Sequence, residues 1–301
     1  MADEIEKGRD GNVKPRKGFY RWLLIFVIAI FVQTGVVWAE TSHTIVIAIP
    51  TDPDSFDPHR SVAAASGEIA FNIYEGLVRG GADGSLKPAL AREWSVSADG
   101  LDYRFYLRQA VFHDGTPVTP DDVVYSLQRL SDPEISARAG EFAVMESIIP
   151  GEGYVDIRLK QPQGPFLAAL AEPAAVIIPR NVENLAQQPI GTGPYQFSQW
   201  RPNQDIRLTR FDEHWADELP YFTQVIFAVY PDDNSAILSL KAGQVDVIPR
   251  LDPSLAHQVE QDSSLVVVPG PMNLVQVLAL NNTWEPFTDV RVRQAIALAI
   301  D

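Results

Sequence analysis

Residues 101–130, LDYRFYLRQAVFHDGTPVTPDDVVYSLQRL, constrain the fold more than any other stretch of the chain. Tyr103, Phe105 and Leu107 alternate with Asp102, Arg104, Tyr106 and Arg108, the period of a strand with one apolar and one wetter face. Asp99-Gly100 just before it is a hairpin-turn dipeptide, and Trp94 and Val96 alternate on the preceding arm, so two strands meet here. The chain then turns through His113-Asp114-Gly115-Thr116-Pro117 into a helix with complete start signals. Thr119 caps it. Pro120 suits the first helical position, whose N–H has no partner in any case, and Asp121 and Asp122 favour the positive helix end. Val123, Val124, Leu127 and Leu130 form its inward stripe.

A strand pair leading into a capped amphipathic helix needs a core to cover both, and 301 residues suffice for one large or two ordinary domains. The 46% hydrophobic and 21% charged fractions describe a folded chain. Net charge is −15; residues 1–39 hold six basic and four acidic side chains, so the remainder stands at −17. Only Lys87, Lys160 and Lys241 are lysines beyond residue 39, so there is no polybasic patch and no nucleic-acid partner is expected. Without cysteine there is no disulfide, thiol nucleophile or thiolate metal site.

The first 39 residues predict export. Lys14, Arg16, Lys17 and Arg21 precede an unbroken apolar run, Trp22 to Val32, and Ala39 with Val37 two positions earlier fits a signal peptide cut before Glu40. The alternative is an uncleaved signal anchor, since Trp22 to Ala39 reaches the minimum span of a bilayer. Either way the rest of the chain is exported.

Beyond the signal, Thr44 to Pro50 (TIVIAIP) reads as a strand buried on both faces, broken by Thr51-Asp52-Pro53-Asp54-Ser55 and the turn Phe56-Asp57-Pro58-His59. Ser61 to Tyr74 reads as a helix with Ile69, Ile73 and Leu77 at four-residue spacing. Further strands are read at Val155–Leu159, Ala175–Pro179, Ile206–Leu208, Tyr221–Pro231, Val245–Ile248, Leu265–Val268 and Leu274–Leu280, with a loop over Ile135–Gly140. Helices open near Asp232, at Asp252-Pro253 and at Thr288 or Asp289. The glycines of Ile190-Gly191-Thr192-Gly193-Pro194-Tyr195 supply backbone freedom; no helix follows them at phosphate-loop spacing, which rejects a nucleotide site. The last helix has no stop signal, which predicts that the sequence is a fragment.

The order of these motifs resembles the family 5 extracellular solute-binding proteins, the peptide, opine and nickel receptors of ABC importers. The matching segments are YEGLV, KPALAREWSVSADG, FHDGTPVTPDDVVYS, IGTGPY, GQVDVI and PFTDVRVRQAI; Gly80-Gly81 departs from the aromatic or acidic residue the family places there. The resemblance covers residues 42–301. It implies an α/β, two-lobed periplasmic-binding-protein fold (type II, cluster C) whose second lobe is truncated: a first lobe over 40–271, with 40–66 and 186–271 forming one subdomain and 67–185 an inserted one, and the start of a second lobe over 272–301. It further implies a monomeric periplasmic receptor that closes on a peptide or related solute and delivers it to a membrane permease, with no cofactor or metal. Asp52, Asp54, Ser61, Ser66 and Arg138 are the expected ligand contacts, because their segments line the cleft in relatives. Asp57 is a weaker candidate.

Two other readings remain open at this point. A membrane-anchored sensor would keep the first segment uncut. An exported hydrolase would need a nucleophile motif, but the chain has neither GxSxG nor HExxH, and His43, His59, His113, His214 and His257 are scattered.

Overall fold

The computed structural model describes residues 43–300 apart from 183, 219 and 271–276; the expected export segment lies outside the described residues, as do the first three residues of the strand expected over Leu274–Leu280, whose remaining four form no strand and leave Val277 and Leu278 exposed. The strands are β1 (Thr44–Ile49), β2 (Val78–Gly80), β3 (Leu86–Pro88), β4 (Ala91–Val96), β5 (Asp102–Leu107), β6 (Met145–Pro150), β7 (Tyr154–Leu159), β8 (Tyr195–Arg201), β9 (Asp205–Arg210) and β10 (Gln224–Val229). The helices are α1 (Ala64–Ile73), α2 (Pro120–Ser131), α3 (Ala139–Phe142), α4 (Phe166–Ala169), α5 (Asp233–Lys241), α6 (Pro253–Glu260) and α7 (Val290–Ala299).

The β-branched run of β1 pairs parallel with β10, and β9 and β8 extend that sheet antiparallel, giving the order β1-β10-β9-β8. A second sheet, β4-β5-β7-β6, is antiparallel throughout. The alternation in β5 works as read: Tyr103 and Phe105 are buried, and the other face carries a ladder of opposite charges. Asp102 lies opposite Arg158 and Arg104 opposite Asp156, each pair ion-paired at 2.7 Å.

Helix α2 covers the apolar face of this second sheet with Val123, Leu127 and Leu130, each fully buried, while Val124 is only half-buried. Its start is a capping box in which the Asp122 carboxylate accepts from the Thr119 N–H at 2.9 Å and from the Thr119 hydroxyl at 2.6 Å. Helices α5, α6 and α7 also start as read, each from an aspartate (Asp232, Asp252, Asp289) whose side chain accepts a first-turn backbone N–H at 2.8 Å.

Helix α1, most of which the sequence assigned to the inserted unit, packs Ile69, Ala70 and Ile73 into the core of the first sheet. The segment Ala175–Pro179, read as a strand, makes a single antiparallel bridge, Val176 with Gly76, and belongs to none of the sheets. Its backbone is satisfied from elsewhere: Ile177 N–H donates to the Glu75 carbonyl (2.9 Å) and Ile178 N–H to the buried Ser126 hydroxyl (2.9 Å). Leu265–Val268 is irregular, because no neighbouring strand pairs with it among the described residues and Val266 and Val268 stay exposed. The expected loop at 135–140 ends in the short helix α3, which buries Ala139 and Phe142.

The IGTGPY glycines have a different reason from the one expected. Neither Gly191 nor Gly193 has a positive φ; a side chain on either would strike backbone carbonyl oxygens at the end of α1, those of Ile73 and Asn72. That close approach is fixed by Gly193 N–H donating to the Ile73 carbonyl (2.9 Å) and by His113, whose ring accepts from Gly191 N–H (3.3 Å) and donates to the Gly193 carbonyl (3.0 Å). Burial pushes the His113 pKa down, consistent with a neutral ring serving both bonds.

Candidate functional site

The segment that leaves β1 and the start of α1 enclose one side of a cavity of about 250 Å³. Ser55, Phe56 and Pro58 come from the turn, Ser61 to Ala64 from the approach to the helix, and Ser66, Gly67, Glu68, Ala70 and Phe71 from α1 itself. Arg138, Glu172, Pro173 and Ala174 close it from the second sheet's side, and Arg250 from beyond α5. The lining is thus mixed, with the apolar Phe56, Val62 and Phe71 set among three serines and the charged Glu68, Arg138, Glu172 and Arg250, and polar groups converging on one space are the character of a small-solute site.

Three of the five expected contacts, Ser61, Ser66 and Arg138, line this cavity. Asp54 joins them through its Oδ1, which accepts from the Ser61 hydroxyl and, at 2.7 Å, from the Ser66 hydroxyl. Burial acts to raise the Asp54 pKa, but the two serine bonds outweigh it and hold the carboxyl below its ordinary value. Asp54 therefore stays ionised. Arg138 sits at the start of α3, loosely held by Glu141 (3.5 Å) and Glu172 (4.0 Å).

Asp52 goes elsewhere. Its Oδ1 accepts from Trp200 Nε1 at 3.2 Å and its Oδ2 from the Asn203 N–H, so both oxygens tie the segment after β1 to the β8–β9 turn, where Asn203 has a positive φ of 58°. Asp57 is structural too: it is buried and held by Arg129, with Nη1 to Oδ1 at 2.8 Å. The same Nη1 donates to His59 Nδ1 at 2.8 Å, which makes the ring neutral.

Sequence reasoning missed Glu68, Phe71, Glu172 and Arg250. Phe71 carried a signal, an aromatic residue on a helix whose inward stripe is Ile69 and Ile73, and it is indeed 56% exposed at the cavity. Arg250 carried none, because nothing local to Ile248-Pro249-Arg250 says that it reaches α1. Among the described residues no group of three or more His, Cys, Asp and Glu side chains is arranged to hold a metal ion, and no helix is long and apolar enough to cross a membrane.

Comparison with known proteins supplies what the geometry alone does not. The family model for bacterial extracellular solute-binding proteins, family 5, matches residues 85–301. The chain is 30% identical over 291 residues to the glutathione-binding protein GsiB of Pectobacterium atrosepticum, covering 93% of this chain and 56% of that protein. It is likewise 30% identical to di/tripeptide-binding protein 2 of Pseudomonas aeruginosa, over 96% of this chain and 59% of the relative. The chain thus spans about half the length of the curated relatives it matches. Among solved structures, AgaA of A. tumefaciens R10 in complex with agropinic acid superimposes with a TM-score of 0.73 at 30% identity, covering 86% of this chain and 54% of that one. NikZ of Campylobacter jejuni in complex with Ni(L-His) gives 0.71 at 28%, covering 86% and 53%. The fold is the α/β fold of the type II periplasmic binding proteins.

Proposed function

The chain belongs to the bacterial extracellular solute-binding proteins of family 5, and from that premise we propose that it forms the first ligand-facing part of a receptor that captures a peptide or related small solute outside the cytoplasm and hands it to an ABC permease. The observation that carries this is that Ser61 and Ser66, both bonded to the Asp54 carboxylate of the same short segment, meet Arg138 from a distant one around a single cavity. At about 250 Å³ the cavity is smaller than most solute pockets, as expected of one wall of a cleft that a second lobe closes over. Asp54 offers a fixed negative charge to a ligand ammonium, and the serines hold it ionised. Arg138 offers its planar guanidinium to a carboxylate. The division of labour suits a zwitterion, and no bond in the ligand needs to be made or broken, which is the behaviour of a binding protein rather than an enzyme. The receptor is periplasmic and monomeric, exported by residues 1–39, and the first lobe has two subdomains.

The experiment is a thermal-shift series on the full-length protein purified from the periplasm of an expressing cell, against di- and tripeptides, glutathione, opines and nickel–histidine. A ligand of the folded state raises its melting temperature by mass action, by about 2.7 kcal/mol of stabilisation at a hundredfold excess over Kd. A concentration-dependent rise with one class identifies the solute; no rise with any class in a cooperatively melting protein rejects the receptor reading. The mass of the same preparation checks the export reading, with Glu40 as the expected first residue.

A further inference from the structure

We infer that Arg250 is a second anion-capturing residue of the cleft, one that selects ligands bearing an additional carboxylate and is screened by Glu68 until such a ligand displaces it; this rests on the binding-protein reading above. Arg250 reaches the cavity from 182 positions beyond Glu68, and its backbone is well placed. After α5 the chain is stitched along β1: the Asp246 carboxylate accepts from Val46 N–H at 2.8 Å, and Ala48 N–H donates to the Val247 carbonyl at 2.8 Å. Ile248 packs with Ala48, Ala236 and Val245. Two residues later Arg250 stands beside α1, and its Nη2 meets Glu68 Oε1.

That ion pair is a partition. Glu68 and Arg250 both line the 250 Å³ cavity, and both also line a second cavity of about 50 Å³ against Ile49, Pro50, Tyr230 and Asp233. Opening the pair joins the two spaces. The pair is also cheap to open: the side chains are 53% and 28% exposed, and ion pairs this wet contribute little to stability. Glu68 is a carboxylate of the protein occupying the position that a ligand carboxylate would take, and Arg250 presents several donors in a rigid fork where Glu68 engages Nη2 alone. A ligand carboxylate therefore exchanges one carboxylate for another at Arg250, gains a better-matched partner, and releases Glu68 to water. A neutral ligand group at the same place gains nothing and leaves the partition shut.

The test compares matched probes that differ in one charge: alanine tripeptides carrying Glu or Gln at each position in turn, and glutathione against its glycyl ethyl ester. Dissociation constants are measured by titration calorimetry on the full-length protein, its Arg250→Gln variant and its Glu68→Gln variant. The wild-type protein is expected to bind the acidic member of at least one pair about tenfold more tightly, the size of a single charge-assisted contact. Arg250→Gln should lower affinity for that acidic member about tenfold more than for its neutral partner, and Glu68→Gln should widen the preference. A wild-type preference that survives Arg250→Gln, or no preference in any pair, overturns this assignment while leaving the receptor standing. Wild-type protein that binds none of these peptides and no other solute overturns the receptor reading and this inference with it.

Discussion

His59 shows how a single buried side chain sets the response of this fold to acid. Burial, and after it the adjacent Arg129 guanidinium, push its pKa down from 6.5 to about 4. Between those values the unfolded chain binds a proton that the folded chain refuses, so stability that is complete above pH 6.5 is lost as pH falls towards 4. The loss is of the order of 3 kcal/mol. For Asp57, burial acts to raise the carboxyl but the Arg129 bonds outweigh it and hold it below 3.8. Its contribution is therefore present above that pH and disappears only as pH falls further. His59→Asn keeps an acceptor for Arg129 and removes the titration. Urea unfolding across the window should give a flatter pH dependence than wild type, and an equally steep fall would place the acid sensitivity elsewhere. Arg129→Ala is harsher: it strands a buried carboxylate and should cost roughly 3–5 kcal/mol at neutral pH.

At the level of the element, what was legible in the sequence is what neighbours in sequence decide. The start of α2 was readable because Thr119, Pro120 and Asp122 lie within one turn and cap each other. Asp122→Ala removes both bonds to Thr119 and should cost about 1–2 kcal/mol, whereas Asp121→Ala, on the exposed side of the same turn, should stay within about 0.5 kcal/mol. Equal effects in chemical denaturation would show that the cap is not what anchors the helix. The strand reading at Ala175–Pro179 reaches only one bridge, because the next backbone partner there is the Ser126 side chain rather than a neighbouring strand, which the apolar run itself does not announce. The same limit hid the role of the IGTGPY glycines. Their freedom looked conformational, but the structure uses their lack of a side chain where the loop meets the end of α1. Gly191→Ala must push against the Ile73 carbonyl, which the helix cannot yield, and should destabilise by roughly 1–3 kcal/mol. An alanine tolerated without change in denaturation midpoint would mean that the loop shifts freely. The candidate site divides likewise: Asp54, Ser61 and Ser66 were found from one short segment, while Glu68 and Arg250, separated by 182 positions, were not.

Across the whole molecule the two sheets share a seam that makes independent unfolding difficult. The extended segment after α4 alternates its side chains between two cores: Ala175 and Ile177 enter the core of β4-β5-β7-β6, and Val176 and Ile178 enter that of β1-β10-β9-β8. A few residues after α1 the chain makes the same switch, with Ile73 and Tyr74 on one side and Leu77 and Val78 on the other. Ile177 N–H to the Glu75 carbonyl ties these two crossing points together at 2.9 Å. Neither core can lose the seam without exposing the other's edge, so the first and second sheets should open as one cooperative unit, which would keep the cavity walls they both contribute in fixed relation. Ile178 is fully buried, and Ile178→Ala removes volume from the first-sheet core alone, at a cost of roughly 2–5 kcal/mol. Native-state hydrogen exchange on this variant should then show faster exchange by a similar factor in β5 and β7 of the second sheet as in β9 and β10 of the first, because exchange from either requires the shared opening. Protection that falls only in β9 and β10 would instead make the seam a hinge, and the cavity walls would be two bodies able to move apart.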